Sequence, residues 1–401
     1  MSNKAVIARE QRAIQQTYLR FPIAIKRGKG SHVWDEDGKK YLDLMTGISV
    51  NSLGYAHPAL TKAITAQAGL YSHAGNLFYS DVQVRLAEEL QTLSGAGHVA
   101  FANTGAEANE LMIKFARRHG HAAGRYEVLA FHGSFHGRTF GALSASGQLK
   151  LHKGMEPLLP GFRHVPYGDM DALKRAVNRY TAAILVEPIQ GENGIIPAKP
   201  EFLVGLRRLA DRQGLLLMMD EIQTGLYRTG TPFAFQHLGA DCVPDVASVG
   251  KSLGGGLPLS AVLVWDKASK LIGVGEHGTT LGGNAVACAA GLALLKEIKT
   301  KKLDQNVVKM GAALTDGLKA LQVKHSKLLR GVRGQGLMLA LDLAQPSRPF
   351  ALAALKKGLI VNATADTVLR FLPPLNLNLA EIKEGLAILD EVFSDFEKQR
   401  T

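Results

Sequence analysis

Lys251 stands between the apolar stretch Val246 to Val249 and the glycine cluster Gly254-Gly255-Gly256. It lies 31 residues after the acidic pair Asp220-Glu221, which closes the apolar run Leu215 to Met219. An amine at the foot of a glycine-rich loop, downstream of a carboxylate at the end of a buried strand, suits a lysine that forms a Schiff base. A carboxylate in that position pairs with a ring cation and favours its charged form. Taken singly, each feature also has a plainer reading, Asp220 as an ordinary acidic strand end and Lys251 as a phosphate or surface contact.

Three further segments carry chemistry. In Asn103-Thr104-Gly105-Ala106-Glu107-Ala108-Asn109, the small residues Gly105 and Ala106 open a helix whose apolar face continues through Leu111, Met112, Phe115 and Ala116. Small residues at a helix start let backbone N–H groups approach an anion, assisted by the positive end of the helix dipole. The glycine spacing is neither that of a P-loop nor that of a dinucleotide fingerprint, so this is a phosphate cradle or a plain helix cap. In His132-Gly133-Ser134-Phe135-His136-Gly137-Arg138-Thr139, Phe135 is suited to stack on a planar cofactor and Arg138 to grip a carboxylate with its two-pronged guanidinium. His132 and His136 lie four apart without a third ligand nearby, so no metal site is expected. Arg370, ahead of the rigid Phe371-Leu372-Pro373-Pro374 turn, fits a dicarboxylate anchor or a rim salt bridge, and Glu192 lies in a glycine-flanked loop able to supply a counter-charge. A phosphate cradle, a stacking aromatic, a strand-end aspartate and a later lysine together meet the needs of pyridoxal phosphate, whose protonated ring nitrogen acts as an electron sink.

The elements that must position these residues follow from hydrophobic patterning. The segments Glu127 to Phe131, Ala182 to Val186, Leu215 to Met219, Val246 to Val249 and Ala261 to Val264 are strand candidates. They alternate with helical stretches Ala106 to His119, Asp171 to Arg179 and Glu201 to Gln213, the pattern of a parallel sheet covered on both faces. Such sheets collect ligands at the carboxyl ends of their strands. Before this region His32-Val33-Trp34 and Tyr41 to Leu44 form a small meander around the Asp35 to Gly38 turn. After it come a strand pair at Gly331 to Arg333 and Leu337 to Leu341, the strands Leu359 to Val361 and Val368 to Arg370, and a closing helix. That helix starts at Asn378 with Glu381 three residues on, a capping box, and presents Ile382, Leu386, Leu389 and Phe393 on one stripe. The expected domains are residues 57–295 as a large α/β unit, with 1–56 and 296–401 forming a smaller α+β one.

With 401 residues, 46% hydrophobic and 20% charged, the chain buries a large core and is not disordered. Its net charge of +12 is dispersed, without aromatic-interleaved basic blocks, which favours anionic small molecules over nucleic acid. Cys242 and Cys288 form no disulfide framework, and the longest apolar stretch, Ala285 to Leu295, is too short for a membrane span. The first 25 residues lack a signal-peptide core. A cytoplasmic protein is expected.

The motifs Met219-Asp220-Glu221-Ile222-Gln223-Thr224-Gly225 and Gly250-Lys251-Ser252-Leu253-Gly254-Gly255-Gly256 resemble those of the class III pyridoxal-phosphate-dependent aminotransferases, of fold type I. The resemblance runs from Lys29-Gly30 to Phe371. It implies a mainly parallel seven-stranded sheet between helices. It also implies that Lys251 carries the cofactor, that Asp220 pairs with the pyridine nitrogen and that Gln223 approaches the ring hydroxyl. Phe135 would stack on the ring, and Gly105 and Ala106 would bind the phosphate. The segment His277 to Asn284 resembles one given to a dimer mate, with Thr280 on the mate's phosphate and Thr279 facing substrate, which implies a homodimer with shared sites. Gly47 to Pro58 and the Phe135 to Thr139 loop are most similar to the acetylornithine-type members. In these, residues matching Arg138 and Arg370 bind the substrate carboxylates, and one matching Glu192 neutralises the second arginine. Tyr18 matches a tyrosine associated with ornithine-type donors, so ornithine, succinylornithine and 4-aminobutyrate stay open as donors. A racemase, mutase or decarboxylase on the same cofactor, and a non-catalytic binding protein, are the rival readings.

Overall fold

Seven strands, the interior ones unbroken apolar runs, pair into one sheet. In chain order they are β1 (His98–Ala102), β2 (Glu127–Phe131), β3 (Phe162–Val165), β4 (Thr181–Val186), β5 (Leu216–Asp220), β6 (Val246–Val249) and β7 (Ser260–Val264). The computed structural model describes residues 1–398. The spatial order is β1-β7-β6-β5-β4-β2-β3, and β7 alone runs antiparallel to its neighbours. Strands β4 to β7 are buried at every position, as befits a parallel sheet covered on both faces.

The edge strands β1 and β3 were not among the strand candidates. They are only partly buried and carry His98, Arg163 and His164, so they lack the continuous apolar run that marks the interior strands. The helix expected over Asp171 to Arg179 is Met170–Ala176, because Val177 is extended at ψ 130°.

Helix α1 (Gly105–Gly120) lies across the sheet. Its buried Leu111, Met112, Phe115 and Ala116 pack on Leu185, Leu216, Met218, Val246 and Val262, and each large apolar side chain so buried contributes about 1.5–3 kcal/mol. Side chains alternate across a strand, so with Val128 on the α1 face Phe131 points to the other. There its ring meets Phe202 of helix α2 (Pro200–Gln213) edge-on, centroids 5.5 Å apart.

The chain divides into two compact units: Ala59–Asp304, which holds this sheet, and Met1–Pro58 with the chain from Gln305 onward. In the second unit, Ile25–Lys29, His32–Asp35 and Lys40–Asp43 form an antiparallel meander, extended by a parallel pairing with Leu359–Ile360. Leu329–Gln335, Met338–Leu343, Val368–Phe371 and Asn362–Thr364 form an antiparallel sheet. The closing helix, Leu379–Lys398, has the expected capping box: the Asn378 N–H donates to Glu381 Oε2 and the Glu381 N–H to Asn378 Oδ1, both at 3.0 Å. It buries Ile382, Leu389 and Phe393, while Leu386 is half-buried. No described helix is long and apolar enough to cross a membrane, and Cys242 and Cys288 are buried and unbridged.

Candidate active site

The carboxyl ends of β2, β5 and β6 and the amino end of α1 meet at one edge of the sheet. Asp220 is the last residue of β5 and pairs in register with Ser248 of β6. Its carboxylate is 5% exposed. Oδ2 accepts from Asn109 Nδ2 and from His136 Nδ1, each at 2.8 Å, and Oδ1 accepts from the Ile222 N–H at 3.0 Å, with Ser248 Oγ 3.4 Å away. Accepting several donors is what a carboxylate does in its charged form. Its neighbour Glu221, pointing the other way across the strand, is bound to Thr224 Oγ1 and to the Phe235 N–H. The acidic pair is therefore split between a site residue and a loop anchor. Burial pushes the Glu221 carboxyl above the usual range.

At the start of α1 the Thr104 hydroxyl and the Glu107 carboxylate form a capping box that uses the N–H groups of Asn103, Thr104 and Glu107. Neither the Gly105 nor the Ala106 N–H meets an acceptor among the described residues. Two uncommitted donors at a helix start fit a phosphate. A Cβ on Gly105 would come within 3.0 Å of Ile222 Cγ2.

The loop after β2 reaches this place because of Gly137. Its φ is +143°, and a Cβ there would lie 2.7 Å from the Ala106 Cβ and 2.9 Å from that of Ala142. Only glycine lets the loop lie against the head of α1. The Phe135 N–H donates to Glu187 Oε1 at 2.9 Å, and Arg138 places its guanidinium carbon 5.6 Å from the Phe135 ring centroid. Arg138 is exposed and has no ion-pair partner among the described residues.

Lys251 opens the short turn Lys251–Gly254 after β6, half-buried, at φ +45°. A lysine gains nothing from the left-handed region, and such strain persists where surrounding structure imposes it, often at functional sites. Gln223 is 6% exposed, and its Oε1 is buried without a hydrogen-bond partner among the described residues. An orphaned acceptor there fits a hydroxyl donor such as that of a pyridinol ring.

Four residues given no site role at the sequence level, Asn109, His136, Glu187 and Ser248, complete the site. Asn109 Nδ2 also donates to the His136 carbonyl at 2.6 Å, and Asn109 Oδ1 accepts from Ser248 Oγ at 2.8 Å. Glu187 accepts from the Phe135 N–H and, at 3.2 Å, from the Gly191 N–H. Burial pushes its carboxyl up to about 7, opposed by His136 and assisted by the charge of Asp220. A local signal existed for Asn109 alone, a polar residue on the apolar side of α1.

The remaining candidates are distributed as follows. Glu192 is half-buried in the loop joining Ile189–Gln190 to Ile196–Pro197. Thr279 accepts at Oγ1 from Asn103 Nδ2 at 2.9 Å, and Thr280 beside it is exposed. Arg370 and Tyr18 belong to the other unit. Arg370 is 1% exposed and donates Nε and Nη2 to Asn362 Oδ1 at 3.0 and 2.7 Å. Tyr18 is 74% exposed, with the Arg20 guanidinium over its ring.

The family model for class III aminotransferases matches residues 13–393. The chain belongs to this family. It is a pyridoxal-phosphate-dependent transaminase, and the phosphate cradle, the orphaned Gln223 acceptor and the buried Asp220 carboxylate, held by its donors with room at Oδ1, fit that cofactor. The acetylornithine aminotransferase of Caldanaerobacter subterraneus subsp. tengcongensis is 45% identical over 395 residues, 97% of this chain and 99% of that protein. Among solved structures, the N-acetylornithine aminotransferase of Stenotrophomonas maltophilia superposes with a TM-score of 0.84 at 34% identity, over 98% of this chain and 100% of that one. The ornithine aminotransferase of Toxoplasma gondii, solved with partial occupancy of PLP at its active site, superposes at 0.95 with 32% identity, over 100% and 96%.

Proposed function

We propose that this transaminase moves the terminal amine of N2-acetyl-L-ornithine to 2-oxoglutarate, giving N-acetylglutamate 5-semialdehyde and L-glutamate. The observation that carries the choice of donor is the 45% identity to an acetylornithine aminotransferase over essentially the whole of both chains. The high structural likeness to an ornithine aminotransferase keeps ornithine as the alternative donor, at the lower identity of 32%.

Pyridoxal phosphate, when bound, supplies the electron sink that makes the carbon bearing the donor amine acidic. Lys251 Nζ would hold the cofactor covalently and, once freed, would take the proton from that carbon as general base. Asp220 would pair with the ring nitrogen, Gln223 Oε1 would accept from the ring hydroxyl, Phe135 would cover one ring face, and the Gly105 and Ala106 N–H groups would hold the phosphate. The exposed Arg138 fork takes a substrate carboxylate. Arg370, Glu192, Tyr18 and Thr279 remain substrate-binding candidates on the family resemblance. The same resemblance supports a homodimer in which Thr280 reaches the mate's phosphate, a cytoplasmic location and a place in arginine biosynthesis.

A panel of N-acetylornithine, N-succinylornithine, ornithine and 4-aminobutyrate, ranked by kcat/KM, tests the donor. N-acetylornithine should lead, and a preference for ornithine would transfer the assignment to the alternative. Donor without 2-oxoglutarate should bleach the visible band of the bound cofactor and release semialdehyde in a single turnover. Lys251→Ala should abolish turnover, and transamination by that variant at the wild-type rate would overturn the role of Lys251. Sedimentation should show pairs of the 43.1 kDa chain.

A further inference from the structure

Helix α1 holds the loop after β2 at two points one turn apart. In its first turn Ala106 receives Gly137, and one turn on, on the same face of the helix, the half-buried Glu110 receives Thr139. Arg138 lies between the two grips. Glu110 Oε1 accepts from Thr139 Oγ1 at 2.5 Å and from the Ala142 N–H at 3.1 Å.

The second grip departs from the ordinary start of a helix. Thr139 is the N-cap of the six-residue helix Phe140–Ala145, and an N-cap threonine usually accepts with its hydroxyl from an N–H in the first turn of its own helix. Thr139 makes no such bond. Its hydroxyl goes to Glu110, and Glu110 takes the Ala142 N–H in its stead, so this short helix is capped from α1. Gly141 makes room for the carboxylate, since a Cβ there would lie 2.3 Å from Glu110 Oε2. A self-cap would serve the helix alone; the cap from α1 also ties the neighbour of Arg138 to the element that carries the phosphate cradle. The Arg138 head stays exposed beside the Phe135 ring, without an ion-pair partner among the described residues. Its main chain is therefore fixed on both sides while its guanidinium is left for a ligand, which lowers the ordering cost of binding one.

We propose that Glu110 is a positioning residue for Arg138. By holding Thr139 against α1 it sets where the Arg138 fork meets the substrate carboxylate, an inference that rests on the role given to Arg138 above.

Two substitutions separate hydrogen bonding from charge. Glu110→Ala removes both acceptances, whereas in Glu110→Gln one amide oxygen can still take both donors, because both go to Oε1 in the native protein. Steady-state kinetics of the holoenzyme with its preferred donor and 2-oxoglutarate should show KM for each raised about five-fold or more in Glu110→Ala, with kcat and the dissociation constant of pyridoxal phosphate within about two-fold of the wild type. Glu110→Gln should restore both KM values to within about two-fold. Arg138→Ala and the double variant complete a cycle. Because Glu110 acts through Arg138, adding Glu110→Ala to Arg138→Ala should change KM by less than about two-fold. An unchanged KM in Glu110→Ala, equal losses in Glu110→Ala and Glu110→Gln, or a full KM rise that persists without Arg138 would overturn the proposal. An unchanged KM in Arg138→Ala would overturn the role of Arg138 itself, whereas a raised KM there beside an unchanged one in Glu110→Ala sinks only the role of Glu110. If Glu110→Ala does not fold, Thr139→Val, which loses the hydroxyl and leaves the Ala142 N–H on Glu110, runs the same cycle, and wild-type KM values in it overturn the proposal.

Discussion

Glu187→Gln offers a quantitative check on the electrostatics of the site, because it removes a buried charge while keeping the shape of the side chain. Burial raises the Glu187 carboxyl from 4.5 to about 7. Between these values the folded protein binds a proton that the unfolded chain has released, so stability falls as pH rises from about 4.5 to about 7 and is level above. The span of roughly 2.5 units, at 1.36 kcal/mol each, corresponds to about 3 kcal/mol as an upper bound. Glutamine does not titrate, but one of the two backbone donors, Phe135 or Gly191, loses its acceptor at a cost of about 1 kcal/mol. The variant should therefore be less stable than the wild type by about 1 kcal/mol near pH 4.5 and more stable by about 2 kcal/mol above pH 7. Taking about 2.1 cal/mol/K per residue for the unfolding entropy, the advantage at high pH is a rise of about 2 °C in Tm. The assay is thermal unfolding of cofactor-free protein at a series of pH values, read as the difference between variant and wild type. Other buried carboxyls and histidines titrate in both proteins and cancel in that difference. A difference that does not change between pH 4.5 and 7 would refute the argument that burial holds Glu187 protonated.

Other outcomes follow from the same geometry. Gly137→Ala places a Cβ 2.7 Å from that of Ala106, so it should lower stability by about 1–3 kcal/mol and weaken cofactor binding; wild-type binding would show that the loop need not lie against α1. Asn109→Ala removes two donations and the nearer acceptor of Ser248 Oγ, which should cost about 2–3 kcal/mol by chemical denaturation. Arg138→Ala should raise KM for both substrates while leaving cofactor binding unchanged, as steady-state kinetics and absorption titration would show. In the other unit His325 bridges Asp390 at 2.7 Å and Glu397 at 2.9 Å while 1% exposed. His325→Ala should destabilise the protein by about 2 kcal/mol in urea unfolding without altering the cofactor's visible band.

The residues proposed to contact the cofactor could be picked out in the sequence because the chemistry dictates their types. A Schiff base requires an amine, a pyridinium a carboxylate and a phosphate a helix start built of small residues. Lys251, Asp220, Phe135, Gly105 and Ala106 stand in segments whose local pattern already says strand end, loop or helix start. The interior strands were legible for a related reason, since burial on both faces leaves an uninterrupted apolar run. The edge strands His98–Ala102 and Phe162–Val165 were not, because half-exposed strands admit His, Arg and other polar residues and so leave no such run.

By itself, then, the sequence determined the reaction class and the strand-helix alternation, because both rest on residue type and short-range periodicity. Only the tertiary structure decided what surrounds Asp220. Its partners Asn109 and His136 lie 111 and 84 residues away in the chain, and Ser248 is 139 residues from the Asn109 it binds. Each is an ordinary polar residue on its own element, and only Asn109, set on the apolar side of α1, is marked by its neighbours. They come together because parallel strands bring their carboxyl ends to one edge, and a buried carboxylate there must find donors from whichever segments the fold delivers.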